Sequence, residues 1–286
     1  DCIVVGAGMG GLTAACLLAR KGKKVLVLER NNYPGGYCSV FERGVYKFES
    51  AIHAINGLNP GGRTRAILER CNIFHKLKLL EPAELLRLVF PRHDIILPQK
   101  NIPALKKVLT EAFPDDKSAI DAIFKVAEQI FNASFEEKSD SSKSVTWKYK
   151  DTSLKEFLDQ HTANEQLQAV LAQYWGYLGV GPQTMSAIYY LYMFWDYAAN
   201  GAYYIEGGSE TAAKFLAEEI KSCGGEVRFG EEVKEFKLTG ASTISHLVTK
   251  DGMEYFASDF ISNISAKKLF LEMVDNKRLP TPFMNK

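Results

Sequence analysis

A glycine turn set between a short apolar run and a segment of helical periodicity constrains this chain more than any other feature. Cys2-Ile3-Val4-Val5 is continuously apolar, as a parallel strand covered on both faces must be. Gly6-Ala7-Gly8-Met9-Gly10-Gly11 follows at once. Leu12, Ala14, Ala15 and Leu18 then recur at helical spacing until Gly22 stops the helix. A second buried-type run covers residues 25–28 and closes on Glu29. Strand, turn, helix and strand in this order make a βαβ unit, whose crossover is expected to be right-handed.

The turn carries chemistry as well as topology. Gly6 permits the sharp exit from the strand, Gly8 lets backbone N–H groups approach a diphosphate, and Gly11 lets the helix lie close on the sheet. The helix N-terminus adds partial positive charge where the phosphates would sit. Glu29 stands at the end of the second strand, about 20 residues past the glycines, where an acid accepts hydrogen bonds from ribose hydroxyls. A glycine-rich turn that binds nothing is the plain alternative, but strand, helix and acid all fall where a dinucleotide needs them.

That pattern alone does not separate a nicotinamide from a flavin dinucleotide. Pro34-Gly35-Gly36, a few residues beyond Glu29, does. A nicotinamide domain has no need of a second glycine pair there, whereas a flavoprotein of this fold uses one to bring backbone against the diphosphate and ribityl chain. The expected cofactor is therefore FAD.

At 286 residues the chain can bury one large core or two smaller ones. A formal net charge of +1 and no basic block leave no pull toward nucleic acid, which is excluded as a partner. Cys2, Cys16, Cys38, Cys71 and Cys223 are odd in number and form no C-x-x-C pair. That argues against a disulfide framework or structural zinc and fits a reducing, cytoplasmic compartment. His75, His93, His161 and His246 lack metal-ligand spacing, and no nucleophile elbow is present. Residues 185–205 are the most apolar stretch but carry Asp196 and Asn200. A spanning helix needs about 20 mostly apolar residues, so this stretch reads as a surface facing ligand or membrane rather than a span. No secretory signal is visible. The chain opens on Asp1 rather than Met, at its first strand, so processing or trimming upstream is expected.

The rest of the pattern is mixed. Residues 31–59 are rich in Gly, Pro and aromatics, without a helix until 64–71. Residues 76–97 read as strands, and 102–113 and 118–135 as amphipathic helices. Residues 136–150 form a polar excursion, and 154–178 and 184–199 are helical. Glu206-Gly207-Gly208-Ser209 opens a helix over 211–222; strands follow at 226–229 and 233–238, then a hairpin about Asp251-Gly252. A last strand at 260–263 leads into a helix at 266–273.

These blocks together resemble the phytoene-desaturase-type flavoproteins (carotenoid desaturases, carotenoid isomerases and retinol saturases), within the amine-oxidase-like FAD superfamily. The resemblance rests on residues 4–15, on Val25-Leu26-Val27-Leu28-Glu29-Arg30-Asn31, and on Pro34-Gly35-Gly36-Tyr37-Cys38-Ser39. It continues in Gly201-Ala202-Tyr203-Tyr204-Ile205-Glu206-Gly207-Gly208-Ser209, Gly224-Gly225-Glu226-Val227 and Val233. It implies an α/β fold: a Rossmann-like FAD-binding domain, a parallel sheet with helices, built discontinuously from residues 1–75 and 205–286. A largely helical substrate domain, 76–204, is inserted, with the cavity expected where the domains meet. It also implies that Gly6, Gly8, Gly10 and Gly11 hold the pyrophosphate and Glu29 the AMP ribose; Arg30, next to it, is either a cofactor-binding residue or only a solvated strand-end charge. Gly35, Gly36 and Ser39 would line the ribityl path, Val233 would offer its backbone to the adenine, and Gly207 and Gly208 would lead the chain back toward the flavin. The chain lacks the glycine-rich closing segment of such proteins before Lys286, so that segment comes from elsewhere or the chain is an FAD-binding fragment without activity.

The activity so implied is hydride transfer between flavin and a long apolar polyene, giving desaturation, saturation or isomerisation. Contact with a membrane periphery is expected from so apolar a substrate. His53, Tyr189, Tyr192, Trp195 and Tyr203 are the candidate substrate residues, the tyrosines and Trp195 as the lining of a tunnel; plain core packing is the alternative for all five. Asp196 is either an acid poised by burial or a hydrogen-bonded structural residue. A flavin amine oxidase, and a lipid carrier of prenylated GTPases like the Rab GDP-dissociation inhibitors, are the rival functions. Glu29 argues against the carrier, which has no use for a ribose acid.

Overall fold

The computed structural model of the protein describes residues 1–91, 93–135, 144–240 and 243–274. The polar excursion expected at 136–150 lies outside them up to residue 143, as do Pro280 and Pro282. The chain divides into two compact units.

The first unit comprises Asp1–Ala54, Arg63–Leu80 and Tyr204–Lys286. Its centre is a parallel sheet. Strand β1 (Cys2–Val5) is buried along its whole length and pairs on one side with β2 (Val25–Glu29), across helix α1 (Met9–Arg20). After β2 the chain makes an antiparallel hairpin, β3 (Val40–Arg43) and β4 (Tyr46–Glu49), and then helix α2 (Arg63–Arg70). A short strand β5 (Leu79–Leu80) closes this part of the unit.

The second unit, Ile55–Gly62 and Glu81–Tyr203, starts with the antiparallel hairpin β6 (Glu84–Phe90) and β7 (His93–Pro98). Helices α3 (Ile102–Ala112), α4 (Lys117–Ala133), α5 (Val145–Lys148), α6 (Leu154–Asp159), α7 (Glu165–Leu171), α8 (Trp175–Leu178) and α9 (Ala187–Asn200) complete it. The α4 face Ile120, Ile123, Phe124, Ala127 and Ile130 recurs at helical spacing and is buried, with Phe124 set edge-on to Phe194 of α9 at 5.4 Å between ring centres. Tyr190, also on α9, is 1% exposed; its hydroxyl donates to the Leu171 carbonyl at 2.7 Å and accepts the Tyr174 N–H at 3.2 Å. Residues 154–178, expected as one helical stretch, are three short helices. Asn164 explains the first break: its side chain accepts the N–H groups of Gln166 and Leu167 and so begins a new helix.

Returning to the first unit, β8 (Tyr204–Ile205) pairs with β5, and α10 (Glu210–Ser222) leads to β9 (Glu226–Phe229), which extends the parallel sheet beyond β2. Strands β10 (Val233–Thr239), β11 (Thr243–Thr249) and β12 (Glu254–Phe256) form a separate antiparallel sheet. Finally β13 (Asp259–Ser262) runs parallel beside β1, giving the order β13-β1-β2-β9, and the short helix α11 (Ala266–Lys268) follows. The fold class is thus the α/β, Rossmann-like one read from the sequence. Buried Glu219 links α10 to α1 and to the chain after α2: it accepts from Arg20 at 2.5 Å and Asn72 at 3.1 Å, with Lys76 at 3.6 Å. Among the described residues no helix is long and apolar enough to cross a membrane.

Candidate cofactor-binding site

The turn from β1 into α1 has the backbone that the glycine spacing requires. Gly6 has φ +97°, a conformation that L side chains rarely adopt. A Cβ on Gly11 would stand 2.1 Å from the Gly6 carbonyl oxygen, so only glycine lets the helix start this close to the strand. Gly8 is the N-cap, in extended conformation, and no side chain caps the helix. No acid occupies the first turn either, which leaves the amide end of α1 suited to an anion.

The second glycine pair lies on the first. Gly35 donates its N–H to the Ala7 carbonyl at 2.7 Å and forms a parallel bridge with Gly8. Gly35 has φ +119°, and a Cβ there would come within 2.1 Å of the Cys38 carbonyl oxygen. A Cβ on Gly36 would lie 3.2 Å from the Gly8 Cα. Bare backbone from two stretches of chain therefore forms one continuous surface, a cradle that any side chain would fill.

Glu29, 6% exposed, is engaged within the chain: one carboxylate oxygen accepts the Ala7 N–H at 2.6 Å and the other the Asn31 N–H at 2.9 Å. Each oxygen can accept a further bond, so the residue both braces the turn and presents an acceptor at the end of β2. Arg30 is exposed. Ser39 is buried, its hydroxyl donating to that of Ser50 at 3.0 Å. Val233 begins β10 with its side chain in the core of the first unit.

Glu49, which sequence reasoning missed, ties the hairpin to the second glycine block. Its carboxylate accepts the Tyr204 hydroxyl at 2.7 Å, the Ser209 N–H at 2.6 Å and the Ser209 hydroxyl at 2.7 Å. Gly208, at φ +96°, makes room: a Cβ there would meet Val40 at 2.7 Å. Burial, then the bond to Glu49, pushes the Tyr204 phenol up to about 12. Burial and the nearby Glu49 charge likewise raise the Cys38 thiol. Asn263 was also missed; it follows β13 and lies against Gly8, Gly10 and Gly11.

The candidate substrate residues fall in both units. His53 is exposed in the first unit. In the second, Trp195 sits edge-on to Phe124 in the helical core, Tyr192 stacks on Phe131 at 5.2 Å, and Tyr189 is 60% exposed. Tyr203 is buried under the Lys100 ammonium, 4.6 Å above its ring. Asp196 accepts hydrogen bonds from the side-chain amides of Asn56 and Asn200, both at 2.7 Å.

Residues 4–71 match the model of the NAD(P)-binding Rossmann-like domain family. The chain is 29% identical over 281 residues to all-trans-retinol 13,14-reductase of Macaca fascicularis, covering 89% of this chain and 45% of that protein. It is 26% identical over 310 residues to the chloroplastic prolycopene isomerase of Arabidopsis thaliana, covering 98% and 50%. The chain thus spans about half the length of the curated relatives it matches. A Pyrococcus furiosus protein of solved structure superimposes with a TM-score of 0.74 at 18% identity, over 99% of this chain and 64% of that one. A putrescine oxidase variant (TM-score 0.70, 17% identity, 100% and 62% covered) and the Rab GDI of Plasmodium falciparum (0.58, 14%, 93% and 66%) share the fold. The chain is a homologue of the retinol 13,14-reductases and prolycopene isomerases.

Proposed function

We propose that this homologue of polyene-modifying enzymes binds FAD on the paired glycine turns and serves a redox or isomerisation reaction of a long apolar polyene. The observation that carries the reading is the bridge between Gly8 and Gly35, which joins two bare stretches of backbone beside the amide end of α1. A diphosphate lying there meets N–H groups and a favourable helix dipole, and Glu29 accepts from the ribose at the end of β2. Arg30, Ser39 and Val233 are assigned to the same cofactor, at the ribose, ribityl chain and adenine. FAD, when bound, supplies reversible hydride exchange. The protein's own residues then bind and orient, and no step needs a nucleophile.

The polyene class comes from the relatives, which carry retinol and prolycopene in their names. His53, Tyr189, Tyr192, Trp195 and Tyr203 remain candidates for substrate contact. Because so apolar a substrate partitions into lipid, we extend the reading to a peripheral membrane contact, which vesicle flotation without binding would remove. The test of the cofactor is direct. The purified chain should acquire flavin absorbance on adding FAD, and a chain that stays colourless at saturating FAD refutes the reading. Amine turnover with release of peroxide would favour an amine oxidase. Binding of a prenylated GTPase without flavin would favour a lipid carrier.

A further inference from the structure

The strand that closes the parallel sheet delivers a polar side chain to the glycine turn. Asn263 directly follows β13, and its N–H donates to the Val5 carbonyl at 2.8 Å, fixing its backbone beside the end of β1. From there the carboxamide lies along the turn. Its nitrogen is 2.8 Å from where a Gly8 Cβ would be, its oxygen 2.7 Å from that of Gly10, and its own Cβ 3.1 Å from that of Gly11. The absence of side chains at Gly8 and Gly10 thus makes room for this amide as well as for a ligand.

Asn263 is exposed, and no hydrogen bond of its carboxamide occurs among the described residues. Nor does it cap α1, whose N-terminus has no side-chain cap. A side chain pressed on bare backbone at the amide end of a helix, with its N–H₂ donors unengaged, is placed to meet an anion from the side. We propose that Asn263 is a further residue of the nucleotide site and donates a hydrogen bond from Nδ2 to the diphosphate. This rests on the reading that the turn binds FAD. It adds a neutral donor where the turn itself offers only backbone N–H groups.

Titration of FAD and of ADP into the unaltered chain and into Asn263→Asp and Asn263→Ala tests the assignment. ADP carries the diphosphate without the flavin. Asn263→Asp, nearly the same shape but with an anion in place of a donor, is expected to weaken both ligands by more than ten-fold. Asn263→Ala should weaken both by about ten-fold, the usual scale for a hydrogen bond to a charged group. The ³¹P resonances of bound ADP should shift between the unaltered chain and Asn263→Ala. Circular dichroism of the ligand-free variants controls for folding, and Asn263→Ala, which only removes atoms from an exposed site, keeps the test open should Asn263→Asp misfold. If the unaltered chain binds FAD while both folded variants bind as tightly as it does, Asn263 has no part in the site and the cofactor reading stands. If the unaltered chain binds neither ligand, the cofactor reading itself fails.

Discussion

The acid that ends β2 hydrogen-bonds to the turn it is expected to complete: Glu29 accepts the Ala7 N–H at 2.6 Å. Glu29 therefore has two separable roles, bracing the turn and holding a ribose. Replacing it with Gln turns one acceptor into a donor facing a backbone N–H. Denaturant unfolding should show Glu29→Gln less stable by about 1–3 kcal/mol, the scale of a buried donor left unmet. Titration should show FAD bound about ten-fold more weakly. Lost stability with unchanged affinity would confine the residue to bracing.

Two glycines with positive φ offer a matched comparison. At Gly22, φ +78°, a Cβ would meet nothing within 4 Å, whereas at Gly35 it would meet the Cys38 carbonyl oxygen at 2.1 Å. Gly22→Ala should cost only the conformational penalty, about 1–2 kcal/mol, and leave FAD affinity unchanged. Gly35→Ala should cost more and abolish FAD binding, because the loop must move off Ala7. Thermal unfolding and flavin titration of the two variants decide this.

Glu49 and Ser209 make a small network in which each partner satisfies the other. Glu49→Ala and Ser209→Ala should be non-additive, with a coupling of about 0.5–3 kcal/mol in a double-mutant cycle. The Tyr204 phenol, raised to about 12 by burial and then by its bond to Glu49, should ionise at lower pH in Glu49→Ala, part of the way back to its ordinary value. Ultraviolet titration reads this directly; an unmoved Tyr204 would contradict the hydrogen bond.

Glu219 makes the first unit sensitive to acid. Burial alone would raise its carboxyl, but the bond from Asn72 and the charges of Arg20 and Lys76 outweigh that and hold it below the usual glutamate range. A depressed carboxyl stabilises the fold above its unfolded-state value, and that stability is lost as pH falls through the lower folded-state value. Glu219→Gln should therefore be less stable than the parent near neutral pH, with the difference shrinking as the medium is acidified below about pH 4. Unfolding curves measured across that range provide the check.

What the sequence revealed follows from which constraints mark residue type. The β1–α1–β2 unit was legible because a doubly covered strand must be apolar throughout and a tight turn must be glycine. The hairpin of β3 and β4 was not, since Phe41, Tyr46 and Phe48 are exposed beside Arg43 and Lys47 and no clean alternation results. The three-way division of 154–178 turned on the capping side chain of Asn164, which an average over the stretch hides. Aromatic density on α9 gave no warning that Tyr189 faces solvent while Trp195 faces the core. Among candidate site residues the glycines and Glu29 stood out. Glu49 and Asn263 are single polar residues at strand ends, with no periodicity to announce them.

The register of β1 has a consequence for synthesis. Its partner β2 is made almost immediately, but β13, on its other flank, follows more than 200 residues later, and Asn263 arrives with it. An emerging polypeptide can form the helical unit, whose contacts are near in sequence, while β1 still has an open edge. The turn itself, with Glu29 and Gly35, is made within the first 36 residues, whereas the contact of Asn263 with it waits until β13 has been made.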